Sequence, residues 1–146
     1  MKCLLWGILV SCLLWACYQD QKTRRVYNVT WWIAGPAAVG LCLLQWEQMG
    51  SLYEYCIFAL LQLFFFGRTY GKADSYAFLT CGICIVSVGG GLQEELLHML
   101  IAYFLLGVVQ GIRKNVAANG NLKEPVAFLP YITLAFFFLL WYHCTV

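Results

Sequence analysis

Residues 52–91 read LYEYCIFALLQLFFFGRTYGKADSYAFLTCGICIVSVGGG, and they give the clearest indication of the fold class. An apolar run over residues 52–66 is followed by a short charged connection, and a second apolar run over residues 75–89 ends in three glycines. Each run is slightly shorter than the roughly 20 apolar residues that cross a bilayer upright. Two such runs joined by so short a connection predict an antiparallel pair of membrane helices.

The same alternation of apolar runs and charged connections extends over the whole chain. Hydrophobic residues make up 62% of the 146 residues, aromatic residues 17% and charged residues only 11%. A soluble core of this size cannot bury that much apolar surface, so a bilayer is the expected solvent. We therefore predict an all-α, polytopic membrane protein with a single domain over residues 1–146. The predicted spans are residues 1–18, 29–45, 52–66, 75–89, 92–111 and 125–143.

The positions of the basic residues predict the orientation of these spans. Eight of the nine Lys and Arg residues fall in the first, third and fifth connections, and only Lys2 lies elsewhere. Because Lys and Arg accumulate on the cytoplasmic side, these connections are expected in the cytoplasm and both termini outside. Asp20 and Asp74 then lie at the same cytoplasmic face. The net charge of +2 gives no reason to expect nucleic acid as a partner.

Asp20 and Asp74 are the strongest candidates for chemistry, since ionisable side chains close to a membrane are costly and often functional. Two carboxylates in a poorly hydrated site share one proton, so that one serves as an acid and the other as a base toward water. A helix N-terminus favours an anion, which predicts that Asp74 is the resting base and Asp20 the resting acid. The alternative is that both are ordinary loop carboxylates paired with Lys22, Arg24 or Lys72.

Three segments resemble sequence motifs of the type IV prepilin peptidases. Residues 20–28, DQKTRRVYN, resemble the signature after the first helix of that family: an Asp, a basic stretch, and an Asn eight positions after the Asp. Residues 71–74, GKAD, resemble its GxGD motif at the start of a helix. Residues 123–131, KEPVAFLPY, resemble its last cytoplasmic loop and the start of the final helix. The three segments occur in the family's order and on one predicted face.

The resemblance implies an aspartic endopeptidase in the cell membrane of a prokaryote. Such an enzyme cuts prepilin or pseudopilin precursors on the cytoplasmic side, just before their hydrophobic N-terminal helix. Asp20 and Asp74 would be the catalytic pair, and Gly71, Ala73 and Asn28 would contact the substrate. No metal and no cofactor is required for this chemistry.

The chain departs from the family pattern at several positions. Ala73 replaces the second Gly of GxGD, which disfavours a positive φ at that residue. Tyr27 stands where Pro is usual, and Ser75 and Tyr76 follow Asp74 in place of a hydrophobic residue and Lys. These departures leave open a peptidase-like assembly factor that has lost its activity.

Two further groups of residues suggest other readings. Cys81 and Cys84 form a CxxC pair within the fourth span, as in membrane thiol oxidoreductases, although the external connections offer no second pair. Glu95 and His98 have the ExxH spacing of some metal ligands. For the group that runs from Glu94 to His98, a helix cap and a local salt bridge are the expected explanation.

Overall fold

The structure is a computed structural model that describes residues 1–116 and 126–145. It is all-helical over these residues, which confirms the predicted fold class. Two short 3₁₀ turns, Trp46–Gln48 and Phe66–Arg68, follow the second and third helices. The α-helices are α1 (Lys2–Thr23), α2 (Asn28–Leu44), α3 (Leu52–Phe64), α4 (Lys72–Ser87), α5 (Leu92–Val116) and α6 (Leu129–Thr145).

The described residues form six α-helices, the number predicted, but several boundaries differ. Helix α1 continues five residues beyond the predicted span, so Asp20 lies within its last turn rather than after it. Its end is set by Arg24, which has a left-handed backbone conformation with φ 56° and donates its N–H to the Asp20 carbonyl oxygen. Helix α3 begins where the Ser51 hydroxyl accepts the Glu54 N–H, an N-cap that supplies one of the hydrogen bonds missing at a helix start.

Successive helices run in opposite directions through the bundle. At one end, the Asp20 carboxylate at the end of α1 accepts the backbone N–H of Leu129 at the start of α6. At the other end, the Gly50 N–H before α3 donates to the Val86 carbonyl oxygen of α4 at 2.8 Å. We call the first of these the aspartate end of the bundle. The termini of α1, α2, α4 and α6 that carry the candidate motifs meet there.

Helix α4 is the central element of the bundle and packs against α2, α3, α5 and α6. Ten of its sixteen residues are buried, which explains why its sequence is apolar on nearly every face. Helix α1 packs against α2 and α6. Buried side chains of α1 and α4 meet in the core, where Ala16 of α1 belongs to the same cluster as Ala77 and Phe78 of α4.

Two of the described helices are long and apolar enough to cross a membrane. They are Lys2–Thr23, with mean hydropathy 1.4, and Leu92–Lys114, with mean hydropathy 1.7. Asn28–Leu44 and Leu129–His143 are apolar but shorter. Helix α3 has 13 residues and a length of about 20 Å, less than the roughly 30 Å hydrocarbon core of a bilayer. The six-span topology therefore stays a prediction.

Candidate active site

Asp20 occupies the last turn of α1 and is half-buried. Its carboxylate oxygen Oδ2 accepts the backbone N–H of Leu129 at 3.3 Å. This N–H belongs to the first turn of α6 and has no partner within its own helix. The hydrogen bond therefore fixes the Asp20 carboxylate against the start of α6 and satisfies a donor that the helix leaves free.

Asp74 is the third residue of α4 and is also half-buried. Its Oδ2 accepts the Gly71 N–H at 3.3 Å, and its own N–H donates to the Gly71 carbonyl oxygen at 3.1 Å. These two hydrogen bonds close the first turn of the helix and hold the carboxylate beside Gly71. The helix starts here because Gly71 is extended, with φ −68° and ψ 155°, and the helical residues follow directly.

Both aspartates line one cavity of about 520 Å³ at the aspartate end. The other residues singled out from the sequence, Asn28, Gly71 and Ala73, line the same cavity. Motifs that are distant in sequence are thus brought together where α1, α2 and α4 meet. The rest of the lining consists of three exposed basic side chains and two apolar or aromatic ones: Arg24, Arg25, Lys72, Val26 and Tyr27.

The pKa of Asp74 shifts in the direction opposite to that expected from its position at a helix N-terminus. Burial of the carboxyl and, second, the nearby charge of Asp20 raise the pKa of Asp74 to about 6, against the opposing hydrogen bond from Gly71. Loss of hydration therefore outweighs the favourable helix N-terminus. The raised pKa of Asp74 argues against the predicted role of resting base, but burial raises the pKa of Asp20 as well, so the division of roles between the two carboxyls stays a prediction.

Ala73 is compatible with the observed backbone. Among the described residues, only Arg24 and Gly89 have positive φ angles, so Ala73 sits in ordinary helical conformation. The expected penalty for replacing glycine at this position does not arise, because no left-handed conformation is required. The Ala73 side chain instead packs against the core cluster that contains Phe78.

Two polar side chains that the sequence did not single out hold the loops around the cavity. Gln19, which is 6% exposed, accepts the Tyr27 N–H through its Oε1 at 3.1 Å and so fixes the turn between α1 and α2. Gln62 is fully buried in α3 and accepts the Tyr70 hydroxyl just before the Gly71 turn. Each glutamine stands in or next to an apolar run, and this could have indicated a structural role, because a buried amide needs hydrogen-bond partners.

The glutamates at the start of α5 lie at the opposite end of the bundle. Glu94 accepts the Gly91 N–H at 2.8 Å, so the predicted cap is present. Glu95 forms no local salt bridge: it is fully buried, and neither carboxylate oxygen has a hydrogen-bond partner. His98 is also fully buried, and its Nε2 lies 2.9 Å from the Ile132 carbonyl oxygen. Among the described residues, no cluster of His, Cys, Asp and Glu could hold a metal ion.

Cys81 and Cys84 are free thiols in the middle of α4, and neither is exposed. Thiol exchange requires access of an attacking thiolate to the sulfur, so this environment is unfavourable for an oxidoreductase. The third sequence motif is only partly visible, since residues 117–125 lie outside the described residues. Its described part includes Leu129, whose N–H contacts Asp20.

Comparison of the chain with protein-family models, with curated proteins and with solved structures gives no match.

Proposed function

We propose that this chain is a membrane aspartic endopeptidase that cleaves the leader from prepilin or pseudopilin-like precursors. The observation that carries the proposal is the single cavity lined by Asp20 and Asp74, two carboxyls from distant motifs. Their electrostatic coupling supports it, since the charge of Asp20 contributes to the raised pKa of Asp74. A carboxyl that keeps its proton beside one that ionises is the arrangement that aspartic proteolysis needs.

The outer surface of the bundle supports residence in a membrane. Large apolar side chains are exposed on every helix, including Trp32 at 78%, Phe104 at 68% and Trp141 at 66%. In water such a surface would drive association, whereas lipid chains solvate it. In the proposed topology all six helices cross the membrane, and the bilayer thins locally around the shorter α3 and α4. The aspartate end faces the cytoplasm, where its basic residues are favourable.

The proposed reaction uses the two carboxyls in different roles. Ionised Asp20 takes a proton from a water molecule, whose oxygen attacks the scissile carbonyl carbon. Protonated Asp74 donates a hydrogen bond to the carbonyl oxygen as negative charge develops on it. The tetrahedral intermediate collapses when Asp20 passes the proton taken from that water to the amide nitrogen and the C–N bond breaks, so that one water is consumed per bond and Asp20 is ionised again. Gly71 and Asn28, at the rim of the cavity, contact the peptide backbone on either side.

Leader removal in cells tests this proposal. The chain is co-expressed with a candidate prepilin, and the precursor is followed by mass spectrometry for the native chain and for Asp20→Asn and Asp74→Asn. We expect both variants to lose cleavage by about 10³-fold, the order of magnitude of acid–base catalysis. Glu47→Gln is the matched control, because Glu47 is an exposed carboxylate outside the cavity.

Two outcomes would contradict the proposal. Cleavage at the native rate by either aspartate variant would exclude Asp20 and Asp74 as a catalytic pair. A native chain that inserts into the membrane but leaves a panel of precursors intact would favour the alternative of an assembly factor without peptidase activity.

A further inference from the structure

Four aromatic side chains from four segments of the chain pack together, and we call them the aromatic cluster: Tyr70, Phe78, Tyr103 and Phe128. Phe128 is its central member. Its ring centroid lies 5.0 Å from that of Tyr103 and 5.9 Å from those of Tyr70 and Phe78, within the range that packed aromatic pairs prefer. Phe128 is only 8% exposed, so its neighbours enclose it on most sides.

Two rings of the cluster belong to residues that directly precede the N–H groups bound to the aspartates. Phe128 precedes Leu129, whose N–H donates to Asp20 Oδ2 at 3.3 Å. Tyr70 stands in the same relation to Asp74, since the next N–H along the chain donates to Asp74 Oδ2 at 3.3 Å. The Cα atom of one residue and the N–H of the next lie in a single planar peptide unit. A displacement of either ring with its Cα atom therefore also displaces the N–H that holds a carboxylate.

The contact between these two rings connects the two carboxylates. The rings of Tyr70 and Phe128 meet edge to face, with an interplanar angle of 67°. Tyr70 is also held at its hydroxyl, which donates to the buried Gln62, and Phe128 is backed by the ring of Tyr103. Because neither ring can move away freely, their contact limits how far apart the two N–H groups lie.

We infer that Tyr70 and Phe128 are positioning residues that set the separation of the Asp20 and Asp74 carboxyls. The inference rests on the proposed endopeptidase function and deepens it, since it names the side chains that hold the pair in a reacting geometry. Neither ring lines the cavity of the aspartates, so each acts through the backbone and not through contact with a substrate. Such spacing matters because a displacement of about 1 Å can slow an enzyme about 10²-fold.

Replacing each ring by leucine removes the contact but keeps an apolar side chain. Phe128→Leu is the cleaner variant, because Tyr70→Leu also removes the hydroxyl bonded to Gln62. Phe136→Leu is the matched control. Phe136 is a fully buried phenylalanine of α6 whose ring stacks on Trp6 of α1, so its loss should lower stability without reaching either aspartate.

The first measurement does not depend on activity. Asp20 and Asp74 are the only aspartates of the chain, so aspartate labelled with ¹³C at the side-chain carboxyl reports this pair alone in an NMR titration in detergent. The coupling of two carboxyls depends on the distance between them. We therefore expect Phe128→Leu and Tyr70→Leu to change the separation between the two apparent pKa values of the pair. Phe136→Leu should titrate as the native chain does.

The second measurement is precursor cleavage in lipid bicelles. We expect Phe128→Leu and Tyr70→Leu to lower kcat by about 10- to 100-fold and to leave KM nearly unchanged, because the rings lie outside the cavity. The double variant should lose no more than the worse single variant, since both substitutions break the same contact. Phe136→Leu should keep the native kcat even where its thermal unfolding midpoint falls.

The outcomes separate this inference from the proposed function. A native titration or a native kcat in both ring variants would overturn the inference and leave the endopeptidase in place. An equal change in Phe136→Leu would also overturn it, because the effect would then follow from stability alone. A shifted titration in a chain that cleaves no precursor would support the positioning role and remove only the proposed reaction.

Discussion

Asp74 is subject to two opposing influences, and their balance sets its role. Its position in the first turn of α4 favours the anion through the helix dipole, an effect of about 0.3–1 kcal/mol at exposed sites. Burial of the carboxyl and the charge of Asp20 favour the neutral form and raise the pKa of Asp74 to about 6. Desolvation prevails at Asp74, and burial raises the pKa of Asp20 as well, so the pair as a whole favours holding a proton.

This pKa predicts how stability depends on pH. The pKa of Asp74 in the folded chain, about 6, is above the unfolded value of about 3.9. The folded state thus binds the proton more tightly, and stability falls as pH rises from about 4 to about 6. We expect Asp74→Asn to weaken this fall without abolishing it, because burial also raises the pKa of Asp20; the thermal unfolding midpoint in detergent measures the change. Glu47→Gln should keep it, and an unchanged fall in Asp74→Asn would refute the assignment.

The same pKa predicts the alkaline limb of the pH–rate profile. Cleavage should decrease as pH rises through about 6, because Asp74 loses the proton that it donates toward the carbonyl oxygen. The measurement is kcat/KM for precursor cleavage in bicelles between pH 4 and 9. The two carboxyls titrate as a pair, so the limbs belong to the pair rather than to one residue. A rate that rises steadily through pH 6 and beyond would contradict this role for Asp74.

Glu95 presents a different case, a buried carboxyl with neither oxygen hydrogen-bonded. Its two charged neighbours, Glu54 and Glu94, are both acidic, and an ionised Glu95 would cost several kcal/mol without a cation to offset it. We therefore expect Glu95 to be neutral. Infrared difference spectroscopy should show a protonated-carboxyl band that disappears in Glu95→Gln. A band unchanged by the substitution would contradict a neutral Glu95.

At the scale of elements, the segment that joins α3 to α4 positions Asp74. Gly67 lies close to both α3 and α4: a methyl group there would approach the Gln62 carbonyl oxygen of α3 to 2.8 Å and Ser75 Oγ of α4 to 3.0 Å. The Tyr70 hydroxyl, bonded to Gln62, fastens the next part of the segment to α3. The close packing of Gly67 against Gln62 and Ser75, together with the Tyr70–Gln62 hydrogen bond, thus determines where α4 begins and where the Asp74 carboxylate lies.

Gly67→Ala should consequently disturb both stability and activity. We expect a loss of about 1–3 kcal/mol in the free energy of unfolding, the usual cost of overpacking, together with slower precursor cleavage. Gly7→Ala is the control, since an added methyl group there meets nothing within 4 Å. Unfolding in denaturant and cleavage by mass spectrometry measure the two effects. If Gly67→Ala keeps the native stability and the native cleavage rate, this segment does not position Asp74.

The helices were predicted well from the sequence because the succession of apolar runs determines them directly. Six apolar runs gave six helices, and the Gly89–Gly91 turn falls between α4 and α5 as expected. The contacts that position the residues of the candidate site could not be predicted from the sequence. The hydrogen bond from Leu129 to Asp20 joins residues 109 positions apart, and no local pattern predicts such a pairing. The raised pKa of Asp74 was not expected from the sequence for the same reason, because its burial depends on tertiary packing.

The whole molecule places its charges asymmetrically. The basic residues Lys22, Arg24, Arg25, Arg68 and Lys72 lie at or near the aspartate end, around the helix ends there. The Glu54 and Glu94 carboxylates lie at the other end, where they accept the N–H groups of Leu92 and Gly91. If the bundle spans a membrane as proposed, cations at one end and acidic caps at the other favour one orientation.

This asymmetry gives the prediction that tests the topology. Alkaline phosphatase, which is active only outside the cytoplasm, is fused after residue 49, after residue 70 or after residue 146. Because the connection before α4 carries Arg68 and Lys72, we expect an inactive fusion after residue 70 and active fusions after residues 49 and 146. Green fluorescent protein fused at the same positions should give the opposite pattern. Phosphatase activity after residue 70 would put the aspartates outside the cytoplasm and exclude cytoplasmic cleavage, whereas activity at none of the positions would argue against the alternating spans of α1 to α6.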